Sequence, residues 1–273
     1  MLTLHRRTGA AKDAGGGPGA PSAGAAIEVD DLSVMYSARG SGPAGSGTLA
    51  VAGMTFEVEP GESVVILGPS GCGKSTLLKV MAGLLEPSSG SVAVGNGAER
   101  IGFVFQSDAL MPWRTAVQNV ELAVLLRGGA PREARDSARE LMDELGLADA
   151  CDRYPAELSG GMRKRVSLAR ALAYQPSVLF MDEPFGPLDA QTRIKVGNFF
   201  LRLIDRFRQT VVFVTHDIDE AITLADRIIV MSARPGRVAA TIPVGLARPR
   251  DYYETRFDDG FTELQRAVWE VIS

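Results

Sequence analysis

Ser63-Val64-Val65-Ile66-Leu67-Gly68-Pro69-Ser70-Gly71-Cys72-Gly73-Lys74-Ser75-Thr76 is the stretch that decides the architecture. A short apolar run passes into a glycine cluster, after which Leu77, Leu78, Met81 and Leu84 recur at helical spacing. The pattern predicts a strand over 63–67, a loop, and a helix over 75–84. The loop matches Gly, four residues, Gly, Lys, Ser or Thr, in the strand-to-helix setting that this motif requires. Glycines let successive backbone N–H groups turn inward around phosphates at the positive end of the following helix. Lys74 can reach the terminal phosphates and the Ser75 hydroxyl can ligate magnesium. Gly68, Pro69, Ser70, Gly71, Cys72, Gly73, Lys74, Ser75 and Thr76 are therefore the candidate cradle for ATP with Mg2+. The bland alternative, a Gly-rich turn that binds nothing, leaves the lysine and the two hydroxyls unexplained.

Working outward, Val178-Leu179-Phe180-Met181 reads as a buried strand that delivers Asp182 and Glu183 at its carboxyl end, where ligands of open α/β sheets sit. Neighbours on a strand point opposite ways, so Asp182 can hold the magnesium shell while Glu183 faces an attacking water as general base. A second apolar run, Val211 to Val214, brings His216 to another strand end, where its side chain can donate a hydrogen bond to a terminal phosphate. The helical pattern over 191–207 between these strands favours right-handed crossovers and a parallel sheet. Upstream, Ile27, Val29, Leu32, Val34 and Tyr36 form a strand pattern broken at Asp30 and Asp31. A second strand over 49–58 follows a Gly/Ser/Pro-rich hairpin connection over 37–47. The opening is thus antiparallel β. Helical patterns over 132–147 and 162–174 make the middle mostly helical.

Composition bounds the classes. The 273 residues, 45% hydrophobic and 23% charged, suit a globular domain with a sizeable core. A net charge of −4 gives no basic field for wrapping nucleic acid, which is not an expected partner. Cys72 and Cys151 have no metal-ligand spacing and no disulfide framework. Residues 1–25, rich in Gly, Ala, Pro and Ser, are expected to be a disordered tail without a secretion signal. An intracellular protein is expected on that ground; no apolar run approaches the roughly 18 residues of a spanning helix, so work at a membrane would need another chain to supply the spanning part.

The run Leu158-Ser159-Gly160-Gly161-Met162, upstream of the acidic strand, resembles the signature motif of ATP-binding cassette (ABC) proteins. The resemblance covers nearly all of residues 26–273. It implies an α/β fold with a P-loop ATPase core on a parallel sheet, an N-terminal antiparallel β subdomain and a helical signature-motif subdomain at about 107–175. The cassette itself would span 26–245, followed by a C-terminal extension, 246–273. It further implies that Ser159, Gly160 and Gly161 cap the nucleotide held by a second copy in a head-to-tail dimer. Small residues just before a helix of this sort offer N–H groups and a hydroxyl to an anion, in agreement. Met162 stands where the family more commonly has glutamine. By the same resemblance Tyr36 stacks on adenine, Gln106 touches magnesium and the attacking water, and Asp189 couples the two sites, with Pro187 in place of a usually small residue.

Leu110-Met111-Pro112-Trp113-Arg114 is either buried packing or the groove that receives a short helix from a membrane subunit, and the family places its docking surface here. Leu110-Met111-Pro112-Trp113, Met162-Arg163-Lys164-Arg165-Val166, and Ser232-Ala233-Arg234-Pro235-Gly236-Arg237 with Ile242-Pro243 and Arg248-Pro249-Arg250 most resemble bacterial importers of the nitrate, sulfonate and taurine group. That implies two membrane-spanning permease subunits, an external solute-binding protein, and a peripheral place at the cytoplasmic face of the inner membrane. A cassette ATPase acting on ribosomes or DNA would carry a second cassette or a long coiled coil. A small-molecule kinase would have no use for the signature motif. Basic and aromatic residues interleave over 246–261, as in nucleic-acid binders or in an extension packed on the domain or its dimer mate.

Overall fold

The computed structural model describes residues 24–37, 47–97 and 99–272. The expected tail up to residue 23, and the hairpin connection over 38–46, lie outside the described residues. Gly24 and Ala25 already belong to the fold. The Gly24 N–H donates to the Arg208 carbonyl, and the Ala25 carbonyl accepts from the Thr210 hydroxyl at 2.8 Å.

Two sheets carry the molecule. In the smaller, β1 (Ile27–Ser37) lies between β2 (Gly47–Val58) and β4 (Ser89–Val94), all antiparallel. The break expected at Asp30-Asp31 is a bulge: the register shifts there and Asp31 has φ 42°. Gly90 of β4 passes so close that a Cβ would sit 2.3 Å from the Asp31 carbonyl, which only glycine permits.

The larger sheet has the order β5 (Ile101–Val104), β6 (Val178–Asp182), β7 (Thr210–Thr215), β3 (Ser63–Leu67), β8 (Arg227–Met231), β9 (Val238–Pro243). Its first five strands are parallel and β9 runs antiparallel to β8. The four central strands, β6, β7, β3 and β8, read as nearly unbroken apolar runs because both faces are buried. Val65, Leu67, Leu179, Met181, Val211 and Phe213 join the core on the helical side, with α2 (Ala116–Leu126), α3 (Pro131–Glu144), α4 (Gly160–Ala173) and α5 (Ala190–Phe207). Their neighbours Val64, Ile66, Val178, Phe180, Val212 and Val214 join the other core, shared with α1 (Lys74–Met81) and the small sheet.

The helix expected over 75–84 stops at Met81, where Ala82 and Gly83 (φ 69°) end it. That expected over 132–147 spans Pro131–Glu144, begun by a proline at its first position and ended before Gly146 (φ 66°). Six elements escaped the periodicity argument: β4 and β5, half-buried or exposed and short; α2, apolar around most of its circumference; α6 (Ile218–Leu224) and β8, too brief to show a period; and β9, an edge strand.

The last residues are part of the core. Tyr252, Phe261 and Val268 are buried, the latter two in α7 (Phe261–Ile272), and Arg250 donates to the carbonyls of Ile222, Thr223 and Ala225 at the end of α6 (Ile218–Leu224). The basic and aromatic residues of this segment therefore face inward in part. The Tyr252 hydroxyl donates to Glu220 Oε1 at 3.3 Å, and burial pushes the Glu220 carboxyl up to about 7, against the Thr215 hydrogen bond that lowers it. A carboxyl raised above its unfolded value stabilises the native state fully at low pH, and that contribution is lost as pH rises through about 4.5 to 7. Glu220→Gln is accordingly expected to flatten the fall in stability across that window, by an amount on the order of 3 kcal/mol. Denaturant melts at pH 4.5 and 7.5 read it, and equal slopes for both proteins would refute it.

Candidate functional site: a nucleotide cavity at the strand ends

Four consecutive strands of the large sheet, β5, β6, β7 and β3, point their carboxyl ends the same way. Gln106 follows β5, Asp182 ends β6 with Glu183 just beyond, His216 follows β7 and the glycine loop follows β3. Residues up to 148 positions apart in sequence, Gly68 and His216, thus meet at one edge because strand order, not chain order, sets their distance. This is where open parallel sheets bind ligands.

The loop is closely packed. Gly73 has φ 107°, and a Cβ on it would lie 2.7 Å from the Ala50 carbonyl. Lys74 is buried and its Nζ donates to the carbonyls of Gly68 at 2.7 Å and Pro69 at 3.0 Å, so the ammonium is held over its own loop. The Ser75 hydroxyl donates to Asp182 Oδ1 at 2.8 Å. Burial, first of all, raises the Asp182 carboxyl, while the Ser75 hydrogen bond and Lys79 oppose it. One hydroxyl beside one carboxylate, both hard oxygen donors, fits Mg2+, which takes few protein ligands and completes its shell with phosphates and water. No cluster of three or more His, Cys, Asp or Glu side chains suited to a metal occurs among the described residues, so a sparse site of this kind is the fit available.

Glu183 is not a strand residue, contrary to the expected alternation along β6. The strand ends at Asp182 and Glu183 turns to φ 46°, a conformation that costs energy in a residue with a Cβ and is met at functional sites. The turn brings Glu183 Oε1 to 3.1 Å from His216 Nδ1 and Oε2 to 3.4 Å from Gln106 Nε2. His216 spends Nδ1 on Glu183 in this arrangement. Donation to a phosphate then falls to Nε2, and both nitrogens donate together only in the imidazolium.

A cavity of about 370 Å³ opens among these groups, lined by Lys74, Ser75, Thr76, Gln106 and Glu183 and flanked by Tyr36, whose hydroxyl is 3.1 Å from Thr76 Oγ1. Arg234, noticed in the sequence only as part of a branch motif, also lines it and donates from Nε to the Gly71 carbonyl at 2.6 Å. Its spacing of 163 residues from Gly71 carries no local signal. A cleft of similar volume between α3, α4 and α5, lined by Leu141, Leu172, Leu203 and Phe207, contains none of the candidate site residues; volume alone does not locate the site.

Ser159, Gly160, Gly161 and Asp189 do not line the cavity of their own chain. Ser159 caps α4, accepting from the Met162 N–H, and the two glycines form the first turn of α4 rather than preceding it. Ser159 and Gly160 are exposed, with Gly161 against Leu188 and the Pro187 carbonyl. Asp189 caps α5 by accepting from the Thr192 N–H at 3.0 Å and is exposed as well. Beside them, the segment 110–114 divides. Leu110 packs on the core, whereas Trp113 is 73% exposed, held out on a loop whose Met111, Arg114 and Thr115 carbonyls accept from the wholly buried Asn119 amide. Asn119 carried no signal in the sequence beyond being polar in an apolar helix.

Parallel strands, a glycine loop over a buried lysine, and paired carboxylates beside a histidine define a P-loop nucleotide hydrolase. The family described as ABC transporter matches residues 51–186. The chain is 47% identical over 72% of its length to the aliphatic sulfonates import ATP-binding protein SsuB 1 of Mesorhizobium japonicum, covering 75% of that protein. It is 41% identical over 81% of its length to the nitrate import ATP-binding protein NrtD of Synechocystis, covering 83% of it. It is also similar, with a TM-score of 0.72 and 31% identity, to the ATP-binding cassette MJ0796 in a dimeric post-hydrolysis state bound to ADP and Pi, covering 81% of this chain and all of that one. The chain belongs to the ABC transporter family, as an ATP-binding, ATP-hydrolysing subunit.

Proposed function

We propose that this ATPase powers import of a small solute of the nitrate, sulfonate or taurine type, working as a head-to-tail dimer under two permease subunits that an external solute-binding protein supplies. The observation that carries the mechanism is the division of the site. Gln106, Glu183, Lys74, Ser75 and the glycine loop line one cavity, to which Asp182 is tied through Ser75 and His216 through Glu183, while Ser159, Gly160 and Asp189 stand exposed outside it with Gly161 half-buried beside them. A cavity complete for phosphate and water but separate from an exposed helix N-terminus is what a nucleotide shared between two copies needs.

In this reading Lys74 and the loop N–H groups hold the terminal phosphates, Thr76 and Tyr36 bound the nucleoside end, and Tyr36 stacks on adenine. Ser75, Asp182 and Gln106 would hold magnesium, which supplies charge neutralisation on the phosphates when bound. Glu183 accepts the proton of the attacking water and His216 steadies the terminal phosphate. Ser159, Gly160 and Gly161 of each copy close on the partner's nucleotide, with Asp189 at the seam, so hydrolysis removes the ligand that keeps the dimer shut. The cassette is taken as 26–245 with its helical part at about 107–175, and 246–273 as an extension that packs back on it. No helix among the described residues is long and apolar enough to cross a membrane, in keeping with a peripheral place at the inner face of the cell membrane.

Trp113, exposed on the loop between β5 and α2, is the proposed contact with the permease. An exposed indole at the centre of an interface commonly carries a large share of binding. The tagged protein from gently solubilised membranes is expected to bring down a multi-helix membrane protein, and Trp113→Ala to lose most of it while ATP binding is kept. Recovery of ribosomes or DNA instead would overturn the transport reading, and undiminished recovery with Trp113→Ala would move the contact elsewhere.

A further inference from the structure

One face of α4 holds residues 105–109 by three cations. Arg163 Nε donates to Asp108 Oδ2 at 3.0 Å, and Arg170 donates to the Ala109 carbonyl at 2.8 Å. Between them Lys164, 1% exposed, donates from Nζ to the carbonyls of Phe105 at 2.6 Å and Gln106 at 3.3 Å. Lys164 is the unusual member. Burial lowers the basicity of its amine, and the nearest carboxylates, Asp108, Asp182 and Glu183, act on it through space without an ion-pair contact. A buried ammonium without a contacting carboxylate is costly compared with an apolar side chain of the same length, so packing stability gives no reason for a lysine here.

Its bonds give one. They fix two consecutive carbonyls where the chain leaves β5, and the side chain between them reaches toward Glu183. The same helix begins with Ser159 as its cap and the exposed Gly160. We propose that Lys164 is a positioning residue for Gln106: its ammonium ties the Gln106 backbone to α4, so that the placement of the Gln106 amide beside Glu183 depends on where the signature helix sits. This rests on the proposed role of Gln106. A displacement of α4, driven at its N-terminus by a partner's nucleotide, would be felt at Gln106 through a rigid link one side chain long, whereas residues on α4 that face solvent would transmit nothing.

The test is steady-state ATPase activity and ATP affinity of the purified protein as wild type, Lys164→Met, Lys164→Gln, Gln106→Ala and the Lys164→Met/Gln106→Ala pair. Lys164→Met removes donors and charge at nearly constant volume and is expected to lower kcat by roughly tenfold, with Kd for ATP within about twofold. Lys164→Gln keeps an N–H donor and is expected to recover part of the loss. In the Gln106→Ala background the lysine substitution should cost nothing further, because the group it positions is gone. Wild-type kcat in Lys164→Met, a Kd that loosens as much as kcat falls, equal losses in Met and Gln variants, or additive losses in the pair would each overturn the proposal. If Lys164→Met does not fold, the same cycle run with Lys164→Gln decides it. Normal turnover in Gln106→Ala would overturn the Gln106 assignment itself and the link with it, whereas a slow Gln106→Ala with additive losses would leave that assignment standing and remove only Lys164.

Discussion

Glu183→Gln is expected to lower ATP turnover by on the order of a thousandfold and to leave ATP binding within about a factor of two. The carboxylate is the group in the cavity placed to take a proton from water, and a positioned general base contributes roughly 10² to 10⁴ in rate. Glutamine keeps the length and planarity of the side chain and can still face His216 and Gln106, now 3.1 and 3.4 Å from the carboxylate oxygens. It cannot accept the proton. The loop and Lys74, proposed to hold the phosphates, are untouched, and so the substitution should separate binding from chemistry. A dimer that forms with ATP and persists is the further consequence, visible by size-exclusion chromatography. Turnover within tenfold of wild type would remove Glu183 as the base and direct attention to His216.

Lys74→Met attacks the other half of the event. The ammonium is buried, 6% exposed, and is held over the loop by the Gly68 and Pro69 carbonyls, so the charge is preorganised and binding incurs little ordering cost. Losing it removes a charge-assisted contact to phosphate in a partly desolvated site, and ATP affinity is expected to fall by about a hundredfold, with hydrolysis undetectable at ordinary ATP concentrations. Two loop carbonyls also lose their donor, so a modest drop in Tm is expected alongside. Calorimetry with ATP, compared with Glu183→Gln, distinguishes the two: the glutamate variant binds and does not turn over, the lysine variant does neither. Unchanged affinity would mean that the loop N–H groups alone hold the nucleotide.

Much of this was legible in the sequence, for identifiable reasons. The five-residue buried strands β3 and β6, and the six-residue β7, announce themselves because both of their faces need apolar side chains, and the glycine loop because positions such as Gly73, where a Cβ would lie 2.7 Å from the Ala50 carbonyl, admit only glycine. Asp182, Glu183 and His216 were visible as polar residues where apolar runs stop. Chemistry that depends on residue type at a fixed local spacing survives without coordinates.

What the sequence determined by itself is the list of parts: an α/β fold of the P-loop kind, a cradle from Gly68 to Thr76, an acidic pair, a histidine and a signature run. The tertiary structure alone decided how they meet. Strand order β5-β6-β7-β3 sets Gln106, Glu183 and His216 side by side, and the turn of Glu183 to φ 46°, where alternation predicted an extended residue, aims its two oxygens at the other two. Arg234 on the loop, Asn119 under Trp113 and Lys164 under Gln106 lay beyond the reach of the sequence for one physical reason. Each acts on a backbone carbonyl, a group that every residue carries and that no sequence pattern marks, and only the folded chain shows which of them a side chain has reached.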